Sequence, residues 1–134
     1  MKISGHTVNP GQAEGEAIVV KVPFSFLGEL DAATGKIASP FHEQFGESIK
    51  GKILVTPTGK GSSMGPIISW NAAQAGNNPA AIICIQAESI LASGAITAGI
   101  PMIDRLEKNP LEVISTGDYV KVDATAGIIE IVGK

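Results

Sequence analysis

The run Lys52-Ile53-Leu54-Val55-Thr56-Pro57-Thr58-Gly59-Lys60-Gly61-Ser62-Ser63-Met64-Gly65-Pro66 holds a strand, a loop and the start of a helix in that order. Residues 52–56 are short and nearly all apolar, the pattern of a strand buried on both faces. Pro57 and the glycines at 59 and 61 break it. Residues 65–75 then read as a helix. Pro66 suits its first turn, where a missing N–H costs nothing, and Gly76 is the stop signal. Residues 80–86 repeat the buried-strand pattern, 88–98 read as a second helix of small apolar residues, and 100–103 as a third strand. This β-α-β-α-β order predicts a parallel sheet with right-handed crossovers.

Both flanks read as β. Residues 2–8 and the β-branched run 16–22 predict strands separated by a turn at Pro10-Gly11, the second ended by Pro23. Residues 23–51 are less regular: apolar Phe24, Phe26 and Leu27, a polar turn over 31–35, and an exposed excursion over 40–48. Beyond a turn at Gly117-Asp118, residues 119–123 and 127–132 predict a closing hairpin. The expected architecture is α/β, with mixed β layers around the central unit, in one domain spanning residues 1–134.

Composition removes several classes of function. The apolar fraction of 44% is that of a globular chain, which argues against wholesale disorder. A net charge of −3 with scattered lysines offers no basic face for phosphate neutralisation, so no nucleic-acid partner is expected. A lone cysteine, Cys84, permits no internal disulfide and cannot hold an iron–sulfur cluster, which takes several thiolates. His6 and His42 lack spaced ligand partners, so no metal site is expected. No stretch approaches the ~20 apolar residues of a membrane span, and residues 1–6 lack a signal-peptide pattern; a soluble cytoplasmic protein is expected.

Chemistry concentrates in the loop over residues 59–63. It joins a buried strand to a helix start at the carboxyl edge of the sheet, where α/β folds place ligands. Its glycines admit a close ligand approach, and the helix N–H groups favour an anion or a developing alkoxide. Ser62 and Ser63 stand in that field, either as a transient base or as holders of a substrate carboxylate. A serine at a helix start is also a preferred N-cap, and on spacing alone capping outranks catalysis for either one. Lys60 in a glycine loop reads by default as solvated. Nucleotide motifs fail: Lys60 is followed by Gly61 where a Walker loop needs Ser or Thr, and position 64 is Met where a dinucleotide fingerprint needs Gly. Ser62 lacks the Gly-x-Ser-x-Gly elbow of a hydrolase. Asp31, Asp104, Asp118 and Asp123 fall in turns or at strand ends, where Asp serves the backbone.

Several blocks together resemble the aconitase-X swivelling-domain family. They are Gly11-Gln12-Ala13-Glu14-Gly15-Glu16-Ala17, then Pro23-Phe24-Ser25-Phe26 with Gly28 and Asp31…Thr34-Gly35. The signature block follows: Gly46…Gly51-Lys52-Ile53-Leu54-Val55…Pro57…Gly59-Lys60-Gly61-Ser62-Ser63. Pro79-Ala80-Ala81-Ile82-Ile83 and Gly94-Ala95-Ile96 also fit, so the likeness covers nearly the whole chain. It implies an aconitase-like swivelling β/β/α domain, the small subunit of a two-subunit hydro-lyase. The partner implied is a large catalytic subunit carrying an iron–sulfur cluster, expected as [4Fe–4S], in a heterodimer active only when both chains are present. It further implies Ser62 as proton acceptor, with Gly61 and Ser63 as candidate substrate contacts. Aconitase has an arginine after the serine pair, whereas this chain has Met64, so an anchor at that position is absent or supplied elsewhere. Two small-molecule substrates occur among the branches. One branch dehydrates (R)-5-phosphomevalonate to trans-anhydromevalonate 5-phosphate in a modified mevalonate route to isoprenoids; another dehydrates cis-3-hydroxy-L-proline.

Readings of other classes stay open on the residues. Swivelling β/β/α domains also serve as phosphohistidine carriers, which the segment 116–129 resembles, but the glycine loop here holds no histidine. A non-catalytic interaction module would use the 40–48 excursion and residues 24–27 as contact surface.

Overall fold

The computed structural model describes residues 1–61 and 63–133. Along the chain run β1 (Lys2–Ser4), β2 (His6–Asn9), β3 (Gln12–Val19), a distorted turn α1 (Phe26–Glu29), β4 (Ile53–Thr56) and α2 (Gly65–Gln74). There follow β5 (Ala81–Cys84), α3 (Ser89–Ala98), β6 (Met102–Asp104), a short α4 (Pro110–Val113), β7 (Tyr119–Asp123) and β8 (Ile128–Gly133). The central β4-α2-β5-α3-β6 unit is the one the sequence predicts, with β4, β5 and β6 paired in parallel.

β3 joins two sheets that differ in sense. Its first half, from Gln12 to Glu16, pairs antiparallel with β7, and Ala17, Ile18 and Val19 pair in parallel with Ile53, Leu54 and Val55 of β4. The resulting strand order is β1-β8-β7-β3-β4-β5-β6-β2. Its two ends are neighbours in sequence. The strand expected over residues 2–8 is broken at Gly5, where β1 turns to pair with β8 and β2 with β6. A side chain at Gly5 would lie 2.8 Å from the Asp104 carbonyl oxygen, so the crossing requires glycine. The chain thus ties one edge of the sheet to the other.

Alternation along the parallel strands sorts side chains into two cores. Ile18, Leu54, Ile82, Cys84 and Met102 face α2 and α3 with Phe24, Phe26, Leu91 and Ala95. Ala17, Val19, Ile53, Val55, Ala81, Ile83 and Ile103 face the antiparallel strands and pack on Ile3, Val120, Val122 and Ile129. Two β layers and one helical layer result. Gly94 lets α3 pack closely on α2 and α1: a Cβ there would lie 3.2 Å from Ser69 Oγ of α2 and 2.9 Å from the Phe26 ring of α1. Phe24 and Phe26 stack edge-on, centroids 5.7 Å apart, and both are buried. They are core residues and cannot serve as partner surface. The excursion over 40–48 is exposed or half-buried as expected except at one residue: Phe41 and Phe45 are exposed, but His42 between them is buried.

Candidate active site

The loop after β4 is held at its base by backbone and by Thr56. Thr56 Oγ1 lies within hydrogen-bond reach of the carbonyl oxygens of Val22 (3.2 Å) and Thr58 (3.1 Å). The Phe24 amide donates to the Thr58 carbonyl at 3.0 Å, and the Lys60 amide to the Phe24 carbonyl at 3.1 Å. On the other side, the amides of Ile85 and Gln86 both donate to the Pro57 carbonyl. The loop is therefore clamped between the segment after β3 and the end of β5.

Its two glycines do different things. A Cβ on Gly59 would overlap the Cβ of Leu91 and lie 2.8 Å from Glu88 Oε1, so only glycine lets the loop pass beneath the start of α3. Gly61 has no such neighbour: Ile90 Cδ1, at 3.5 Å, is the nearest group a Cβ would meet, and its φ is not left-handed. Packing within this chain therefore accounts for Gly59 and leaves Gly61 open to an approaching molecule. Ser62, the expected proton acceptor, lies outside the described residues. Ser63 is exposed in the turn before α2. The N-cap position of α2 is Met64, in helical geometry, so Ser63 does not occupy the capping position its sequence context suggested.

Lys60 is more than a solvated side chain. Its Nζ lies 2.7 Å from Glu29 Oε2, and the Glu29 side chain is only 6% exposed. The other oxygen, Oε1, is bonded by His42 Nε2. These residues were not read together from sequence, because they lie on three separate segments and follow no motif spacing.

Elsewhere on the same edge of the sheet, Asp104 at the end of β6 accepts from the Ala87 amide at 2.8 Å and pairs with His6 Nδ1 at 2.8 Å. Asp31, Asp118 and Asp123 likewise accept backbone N–H groups in turns, as expected for aspartates in such places. Both histidines are thus engaged by carboxylates. Among the described residues no group of three or more His, Cys, Asp or Glu is arranged to hold a metal ion. Cys84 is buried, and that burial, with the Asp104 carboxylate adding to it, pushes its thiol from the ordinary 9.0 up to about 12. One buried thiol is a single donor where a cluster takes several, so the donor set of this chain does not fit an iron–sulfur cluster. Among the described residues no helix is long and apolar enough to cross a membrane.

Comparison with known proteins agrees with this geometry. The family described as the aconitase X swivel domain matches residues 2–131. The phosphomevalonate dehydratase small subunit of Methanocella arvoryzae is 49% identical over 131 residues, covering 98% of this chain and 99% of that one. The crystal structure of Thermococcus kodakaraensis aconitase X in its holo form superposes with a TM-score of 0.92 at 42% identity, covering 98% of each chain. A 3-isopropylmalate dehydratase structure from Methanocaldococcus jannaschii shares the fold at a TM-score of 0.61 and 18% identity, covering 92% of this chain and 83% of that one. The layered fold, the clamped glycine-serine loop and a match from residue 2 to residue 131 lead to one assignment: this chain belongs to the aconitase X swivel domain family.

Proposed function

We propose that this chain is the small subunit of a two-subunit hydro-lyase that dehydrates (R)-5-phosphomevalonate to trans-anhydromevalonate 5-phosphate in the cytoplasm. The observation that carries this reading is the likeness, over nearly the full length of both chains, to the Methanocella arvoryzae protein named phosphomevalonate dehydratase small subunit. The partner is a large catalytic subunit in a heterodimer. Any iron–sulfur cluster belongs to that subunit, because the donors here do not fit one.

This chain's share of the reaction is the base. In a β-elimination, Ser62 takes the proton from the carbon beside the one bearing the hydroxyl. The C–H electron pair becomes the double bond as the C–O bond breaks; the departing hydroxide takes up a proton to become water, and Ser62 gives its own proton up to solvent to complete the cycle. A serine hydroxyl is a weak acid, so its alkoxide needs help from its surroundings. Ser62 stands two residues before the N-cap of α2, whose N-terminal dipole favours a negative oxygen nearby. Gly61 leaves room for substrate, and Ser63 offers a second hydroxyl as a substrate contact.

The test is co-expression with a candidate large subunit, co-purification, and assay on phosphomevalonate and on cis-3-hydroxy-L-proline. Turnover of the first and not the second is expected; the reverse outcome would move the substrate to the other branch. Ser62→Ala in the complex should lower kcat by a factor of about 10³ or more while assembly is unchanged. Near-normal turnover in that variant would remove Ser62 from the base role.

A further inference from the structure

A buried carboxylate needs a charge partner, since taking an ion out of water stays costly even after the surroundings relax. Glu29 has two partners from distant parts of the chain: Lys60 Nζ at 2.7 Å on one oxygen and His42 Nε2 on the other. The His42 side chain is 1% exposed, and its ring packs on Phe24 with centroids 5.9 Å apart. Among the described residues nothing bonds its Nδ1. The Lys60 side chain, itself 52% exposed, reaches in from solvent to place a positive charge beside this buried carboxylate. Lys60 is half exposed but its partner is buried, so removing Lys60 would leave the Glu29 carboxylate with His42 alone.

The three residues also connect three segments. Glu29 lies at the end of α1, His42 in the excursion, and Lys60 in the loop that carries Ser62. The excursion is pinned a second time by Gln44 Nε2, which donates to the Val19 carbonyl at 2.7 Å. We propose that Glu29 is a positioning residue for the catalytic loop: its carboxylate, held by His42, holds the Lys60 ammonium and so fixes the backbone at residues 59–61, next in sequence to the serine base. Its catalytic consequence rests on the dehydratase reading above.

The test uses the full chain alone and in complex with its large subunit. In the isotope-labelled chain, Glu29→Gln should speed hydrogen exchange of the Lys60 amide about tenfold or more, while β4 and β5 amides keep their protection. Lys60→Met should do the same, and Lys60→Arg should restore protection. In the complex, Glu29→Gln and Lys60→Met should each lower kcat by about 10- to 100-fold at nearly constant KM, the size expected of a misplaced catalytic group. The double variant should be no slower than the slower single, because both changes remove one contact. Losses that multiply, wild-type kcat in Glu29→Gln, or unchanged Lys60 amide protection would each overturn the proposal. A wild-type complex inactive on both hydroxy acids would sink the dehydratase reading alone, and the exchange measurement would still decide the role of Glu29.

Discussion

Cys84 closes β5 with its thiol in the helix-side core, and its raised pKa ties stability to pH. The unfolded chain gives up this proton near 9.0, while the folded chain keeps it to about 12. Between those values the unfolded state binds fewer protons, so stability falls as pH rises, by at most about 1.4 kcal/mol per unit. Below pH 9 the contribution is fully present. Urea unfolding from pH 8 to 11 should show this decline, and Cys84→Ala should remove it; an identical slope in both chains would exclude the thiol as its source. The burial of Cys84 was legible from the apolar run around it. The roles of Glu29 and His42 were not. A polar residue in an aperiodic stretch carries no local sign of burial, and its partners lie 13 residues away and, across the fold, in the β4–α2 loop.

At the scale of elements, α3 starts on an uncommon cap. Glu88 sits at its N-cap position in extended geometry, and its two carboxylate oxygens accept from the amides of Ile90 (2.8 Å) and Leu91 (3.0 Å). Both bonds are charge-assisted and satisfy orphan donors of the first turn. Glu88→Ala should cost about 1–2 kcal/mol, read as a lower urea midpoint at unchanged m-value. Glu88→Gln should retain part of this, since one amide oxygen still accepts. The sequence announced this helix through its small apolar residues; the glycine after it, Gly99, takes the left-handed conformation at the C-cap. It announced α2 through Pro66 and Gly76; of the two serines offered as caps, Ser63 does not hold the N-cap position, which is Met64, and Ser62 lies outside the described residues. The short α4 had its own signals in Asn109 and Pro110, with Asn109 Oδ1 accepting from the Leu111 amide at 2.9 Å. A single turn generates too little periodicity to stand out from a loop.

For the whole molecule, the tie at Gly5 decides how the sheet ends. β1 covers β8, with Lys2, Ile3 and Ser4 opposite Glu130, Ile129 and Ile128. Ile3 is buried in the core between the β layers. Removing residues 1–4 should cost about 2–5 kcal/mol from that lost burial and leave β8 with an unpaired edge. A lower melting temperature together with self-association in sedimentation velocity is the expected result; a monomer of unchanged stability would show that β1 is dispensable. The parallel half of this sheet was legible in its short, nearly all-apolar runs, but its closure was not, since one strand divided between two partners looks like a single strand in sequence. The pairing also sets an order of events during synthesis. β1 leaves the ribosome ahead of every other strand of this sheet, yet its partner β8 is the last to emerge. The first strand made is therefore the last to find its place, and until then the growing chain must carry Ile3 and both future edges exposed to whatever surrounds it.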